Sequence, residues 1–254
     1  MFIDSHCHLY LQKERHLIPE ILERARAAGV TAWICPAIDL ESARTCVDLA
    51  QNHRAVFAAA GIHPNYSAEA PRNYQKNLRH LLALPYVVAV GEIGLDYYRE
   101  HAPFETQRIF FREQLALAKE LDLPVIVHNR NADEDTLTLI RDSGVRRGVA
   151  HCFSSGWDTA REFLDLGFAV SFAGNLTFKN SFLPEVAAQV PLNRTLVETD
   201  SPFLSPTPFR GQPNEPARTR LVAEKLAEIH GVPLEEIAGH TCRNTIELFR
   251  LPPG

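Results

Sequence analysis

The sequence predicts an α/β fold, a single (β/α)8 barrel over residues 1–254, and three observations predict it. The length suits the fold, for which about 250 residues is typical. Eight short apolar, β-rich runs alternate with segments of helical spacing, the signature of a parallel sheet. Histidines and carboxylates recur at the C-terminal ends of those runs, where a barrel of this kind gathers its active site.

The strand candidates are residues 2–4, 31–36, 56–61, 87–91, 125–128, 148–151, 168–171 and 195–198. The first connection, ERHLIPEILERARAAG, places Leu17, Ile21 and Leu22 one turn apart, and Gly29 stops the helix. The same helical spacing follows in LESARTCVDLAQ, FETQRIFFREQLALAKEL, EDTLTLIRDS and WDTAREFLDLG, and the chain closes with ARTRLVAEKLAEIHG and LEEIAGHTCRNTIELF. The stretch SPFLSPTPFRGQPNEP, rich in Pro and Gly, reads as a long ordered loop after the eighth strand and not as a domain boundary.

Bulk properties narrow the function. With 45% hydrophobic residues there is ample core, and a net charge of −5 is no footprint for wrapping duplex DNA non-specifically. Five scattered cysteines without C-x-x-C spacing argue against disulfides or a zinc knuckle and for a reducing compartment, the cytoplasm. No apolar run approaches the ~20 residues that span a bilayer.

The opening run IDSHCHL sets His6 and His8 one residue apart. In an extended strand they share a face with Asp4, and two imidazoles side by side fill a core poorly but begin a metal site well. Strand three ends in GIHP with His63, strand four in GEIGLDY with Glu92, strand five in PVIVHNR with His128, strand six in HCFS with His151, and strand eight in ETDSP with Glu198 and Asp200. Each has an ordinary alternative. A lone His at a strand end is usually a satisfied surface residue, Asp200 could be a turn residue, and a buried Glu92 could pair with Arg99 or Arg130. Their convergence at one barrel mouth outweighs these readings. His16, His53, His80, His101, His230 and His240 fall in helices or loops and read as surface residues. Nitrogen and carboxylate donors without thiolates suit Zn²⁺, Mn²⁺ or Mg²⁺, and they exceed the three protein ligands of one catalytic zinc, so two divalent ions are expected.

SHCHL, GIHP, GEIGLDYY, PVIVHNR, HCFS and ETDSPFL, followed by RGQPNEP, together resemble the TatD family of metal-dependent deoxyribonucleases, within the amidohydrolase-like TIM-barrel hydrolases. The resemblance covers essentially the whole chain. It implies that His6, His8 and Asp200 hold one metal, His128 and His151 the second, and that Glu92 bridges them. It further implies that His63 contacts the scissile phosphate, that Asp200 orients the nucleophile or takes its proton, and that Glu198 supports the ligands from behind. Arg130 is a candidate phosphate contact, since a guanidinium fork suits phosphate oxygens. Asn129 and Asn131 depart from what relatives often carry, which bears on substrate contacts and not on the metal ligands. The implied activity is cleavage of DNA phosphodiester bonds, at single strands or 3′ ends, by metal-activated hydroxide, in a monomer with no stable protein or membrane partner. The alternative is a related amidohydrolase-type enzyme on a small ester, lactone or amide; such relatives often carry a carbamylated lysine at the end of strand five, where this chain has His128. A non-catalytic metal-binding scaffold is the remote alternative, and it should lack some of the ligands.

Overall fold

The computed structural model describes residues 1–12 and 17–252. Glu14, Arg15 and His16, at the start of the first expected helix, lie outside them. Eight parallel strands follow one another in sequence order around the sheet: β1 Phe2–Asp4, β2 Val30–Pro36, β3 Val56–Ala60, β4 Val87–Asp96, β5 Val125–Arg130, β6 Gly148–Ala150, β7 Ala169–Phe172 and β8 Thr195–Val197. The helices are α1 Ile18–Ala27, α2 Leu40–Asn52, α3 Tyr74–Leu82, α4 Phe104–Glu120, α5 Asp133–Ser143, α6 Trp157–Asp165, α7 Leu183–Ala187, α8 Thr219–His230 and α9 Leu234–Phe249. Among the described residues no helix is long and apolar enough to cross a membrane.

The helices begin and end for local reasons. Asp39 caps α2 by accepting from the Ser42 amide while Ser42 Oγ accepts from the Asp39 amide, so two otherwise orphaned donors are satisfied reciprocally. α5 and α8 stop at Gly144 and Gly231, both in the left-handed region. The outward strand faces pack against the helices through side chains such as Trp33, Phe111, Phe163 and Phe172, all fully buried.

The inward faces form a separate cluster, to which every strand contributes one residue: Ile3, Ile34, Ala59, Ala89, Ile126, Val149, Ala169 and Leu196. Phe249 and Leu251 plug it from below. Side chains alternate along a strand, so the next inward layer lies two residues further on. There the apolar character stops, at Ser5, His128, His151, Ser171 and Glu198.

The barrel closes between β8 and β1 by unlike contacts. Ser5 N–H donates to the Val197 carbonyl at 3.1 Å, Asp200 N–H donates to His6 at 2.9 Å, and Cys7 bridges to Ser201 in parallel fashion. The Asp4 carboxylate accepts from Thr199 twice, from the amide at 2.9 Å and from Oγ1 at 2.6 Å. Burial pushes the Asp4 carboxyl up to about 8 against the pull of these bonds. β1 thus ends at Asp4, and Asp4 fastens the seam instead of sharing a donor face with His6 and His8, as continuous alternation would have it.

Candidate metal centre

Glu92 stands at the middle of the mouth, and strict alternation would have turned it away. Counting inward positions from Ala89 leads to Gly91. Between Val90 and Ile93, however, three steps along β4 face two along β5 (Val90↔Val125, Ile93↔Val127), and this bulge shifts the phase so that Glu92 points inward. The flanking glycines make room. A Cβ on Gly91 would lie 2.6 Å from Ile126 Cβ, and one on Gly94, at φ +143°, would lie 1.9 Å from the His128 carbonyl oxygen. The GEIG spacing is therefore dictated by close approach of β4 to β5.

The two carboxylate oxygens of Glu92 face different partners. Oε2 lies 3.4 Å from His6 Nε2 and 3.7 Å from His8 Nε2. Oε1 lies 2.8 Å from His151 Nε2, 2.9 Å from His128 Nδ1 and 3.4 Å from His63 Nε2. Asp200 Oδ1 completes the first side, 3.4 Å from His8 Nε2 and 3.7 Å from His6 Nε2. All six expected ligands meet here, with His63 beside them. His6 and His151 also stack, ring centroids 3.9 Å apart. His6–His8–Glu92, His6–His151–Asp200 and His63–Glu92–His128 each bring their ligand atoms within 4.8 Å of one another.

The far nitrogens of three of the rings show what they present to the centre, because a neutral imidazole donates from one nitrogen and accepts at the other. His151 Nδ1 meets Glu198 Oε1 at 3.3 Å, His128 Nε2 meets Asp96 Oδ2 at 3.2 Å, and His8 Nδ1 meets the Pro36 carbonyl at 3.1 Å. Each of these partners accepts, so each ring donates outward and, when neutral, turns a lone pair inward. Carboxylate or carbonyl partners of this kind orient metal-binding histidines and raise their basicity. Lone pairs of His128 and His151 converging on Glu92 Oε1 repel one another unless a proton or a cation lies among them. Glu92 is 3% exposed, and no arginine or lysine among the described residues pairs with it; Arg130 instead stacks over Tyr98 at 3.9 Å. The donor set fits divalent cations.

His63 is wired the other way. Its Nδ1 accepts from the Asn65 amide at 3.1 Å, so in the neutral ring Nε2 carries the proton and presents a donor. Burial pulls its pKa down to about 4 even though Glu92 opposes the shift, which keeps the ring neutral near pH 7. Burial alone would raise Glu92; positive charge among the surrounding histidines, His151 first, reverses this and holds its carboxyl well below the usual carboxylate range, and with those rings neutral a bound cation would have to supply that charge.

Asp96 belongs to the site although sequence reading assigned it no role. The signal was present: positions 92, 94 and 96 share one face at period two. Asn214 was also passed over. Its amide donates to the Thr199 carbonyl at 2.9 Å and to the Phe203 carbonyl at 2.7 Å, bracing the loop on which Asp200 adopts φ +53°. The next residue, Glu215, pairs with Arg24 of α1. Of the histidines read as surface residues, His80 and His101 are exposed, whereas His53, His230 and His240 are half-buried.

Comparison with known proteins decides the family. The family described as TatD related DNase matches residues 3–250. The chain belongs to the TatD family. It is 39% identical to the metal-dependent hydrolase YabD of Bacillus subtilis, over 99% of this chain and 100% of that one. It is 40% identical to the metal-dependent hydrolase YcfH of Escherichia coli K12, covering 98% and 96% of the two chains. The crystal structure of YJJV, a TatD homolog from E. coli K12, superposes with a TM-score of 0.95 at 36% identity, covering 99% and 98% of the two chains. This TatD-family chain is a metal-dependent hydrolase on a TIM barrel.

Proposed function

We propose that this hydrolase cleaves DNA phosphodiester bonds at single-stranded segments or 3′ ends, using two divalent ions of the Mg²⁺, Mn²⁺ or Zn²⁺ class. The observation that carries the proposal is the division of Glu92, with Oε2 toward His6 and His8 and Oε1 toward His128 and His151. His6, His8 and Asp200 would hold one ion, His128 and His151 the other, and Glu92 both. Bound ions of this kind polarise a phosphoryl oxygen and bring the pKa of water from 15.7 to about 7.

The remaining work falls to this chain's own groups. Asp200 accepts the proton of the attacking water. His63 Nε2–H, fixed as a donor by the Asn65 amide on Nδ1, donates to the phosphate as negative charge grows on it. Arg130, two residues beyond His128 on β5 and so one layer further out, offers its guanidinium to a phosphate oxygen. Asp96 and Glu198 keep His128 and His151 in the lone-pair-inward form.

The test is to assay purified protein, with Mg²⁺, Mn²⁺ or Zn²⁺ added in turn, on single-stranded DNA and on a panel of small esters, lactones and amides. Metal-dependent DNA cleavage is the expected result. Turnover of a lactone or amide with DNA left intact would overturn it and assign the same centre to amidohydrolase-type chemistry.

A further inference from the structure

A second recess opens at the same rim. A cleft of about 420 Å³ lies between the segment after β7 and the loop after β8, and Ser154, Phe178, Lys179, Phe182 and Arg210 are among its lining residues. Ser154, three positions after His151 on the loop that follows β6, is among the residues that line it. Thr207 holds its two sides together, bonding to Thr177 through both amide and hydroxyl.

Its chemistry differs from that of two other clefts. Lys179 and Arg210 line it with no carboxylate, in a chain whose net charge is −5. A cleft at α4 and α5 sets Arg112 and Lys119 against Glu120 and Asp142, and one below the barrel sets Arg220 and Arg243 against Glu235 and Glu247. The Arg210 guanidinium sits 3.6 Å from the centroid of the Phe178 ring and donates to the Ser205 carbonyl, and among the described residues neither Arg210 nor Lys179 forms an ion pair. Phe182 is 53% exposed. Of the five exposed Tyr and Phe side chains among the described residues, Tyr66, Tyr98, Phe182 and Phe203 all follow strand C-terminal ends and Tyr86 precedes a strand. Two of those at the rim touch the centre directly: Phe203 meets His8, and Tyr66 meets His63, each at 6.2 Å between ring centroids.

We propose that this cleft is a nucleotide subsite, taking one nucleotide of single-stranded DNA next to the linkage under attack. Lys179 and Arg210 hold its phosphate, and its base stacks on Phe182. The inference rests on the nuclease reading above. Two uncompensated cations select an anion, and an open aromatic face beside them selects an anion that carries a flat ring. The volume lies within the ~300–1,000 Å³ usual for small-molecule sites. A base-paired nucleotide has both its faces covered by its neighbours, so the subsite selects unpaired strands.

The test measures binding apart from cleavage. Metal-loaded protein is titrated into fluorescein-labelled oligothymidylate with cleavage-resistant phosphorothioate linkages, and hydrolysis of bis(4-nitrophenyl) phosphate is followed in parallel. Phe182→Ala should weaken oligonucleotide binding about tenfold, as loss of one stacked base does, and Phe182→Trp should restore it. Lys179→Gln and Arg210→Gln should weaken it and flatten its salt dependence. All four variants should hydrolyse the small diester at the wild-type rate, and duplex DNA should respond to none of them. Wild-type protein that does not bind the oligonucleotide, or variants that bind it unchanged, would overturn the subsite. So would an effect of the two cation variants alone with inorganic phosphate as an equal competitor, which would make it a simple anion site. Subsite-dependent binding without DNA cleavage under any of the three ions would instead overturn the nuclease reading and leave the nucleotide site standing.

Discussion

The lower interior layer of the barrel, from Ile3 and Ile34 round to Leu196, has no side-chain atom that can form a hydrogen bond. The layer two residues further along the strands contains Ser5, His128, His151, Ser171 and Glu198, all joined to neighbours by polar contacts. Backbone geometry is shared between them, so the difference lies in what each layer needs from its surroundings. Apolar side chains need volume matched to space, and any combination that fills the barrel serves. Imidazoles and carboxylates need specific partners in specific protonation states, because a buried polar group without one is costly. The lower layer can therefore be exchanged piecemeal, whereas the upper one stands or falls as a network.

That contrast can be broken most severely at Glu92. Glu92→Ala removes the carboxylate shared by both halves of the centre, so both ions should bind weakly and activity should fall to background on DNA and small esters alike. His128→Ala should loosen one ion only, and metal stoichiometry in the two variants separates a shared role from a single one; an active Glu92→Ala protein with its full metal complement would refute the sharing. Ile126→Ala acts two residues before His128 in the other layer. It should cost about 2–5 kcal/mol of stability, read from denaturant unfolding, with metal stoichiometry unchanged. His63→Ala should keep its metal and lose about 10²–10³ in turnover, as removal of one preorganised donor does; loss of metal would instead make His63 a ligand. The smallest effects should come from Glu198→Gln and Asp96→Asn, which weaken the outward acceptors of His151 and His128. Each should cost about 10–100-fold in metal affinity or activity, and metal titration against a competing chelator would show it.

Much of this was legible in sequence because the signals are local. Donor types at strand ends placed His6, His8, His63, Glu92, His128, His151 and Asp200 at one mouth, and the structure brings them together. The helix α3 escaped because in YQKNLRHLL only Tyr74, Leu78 and Leu82 are buried, a thin stripe in a polar segment. α7 escaped because it is five residues long. β4 was expected to end at Gly91, since glycine usually interrupts strands, yet it runs on to Asp96 because its glycines admit β5. The bulge that turns Glu92 inward is set by register against β5, which no single segment encodes. Asp96 and Asn214 act through partners on other elements, His128 and the Thr199–Phe203 turn, and such pairings exist only once the chain has folded.

The seam between β8 and β1 also sets the order in which the centre is built. Asp4 and Thr199 are 195 positions apart. At synthesis rates of about 5–20 residues per second, about 10–40 s separates their appearance on the ribosome. Throughout that interval His6 and His8 follow a strand that β2 can pair on one side only, with Asp4 still lacking the two donors that justify its burial. The first side chains of the centre to be made are thus among the last to be locked, and a nascent chain that has yet to reach Asp200 has no complete place to put a metal ion.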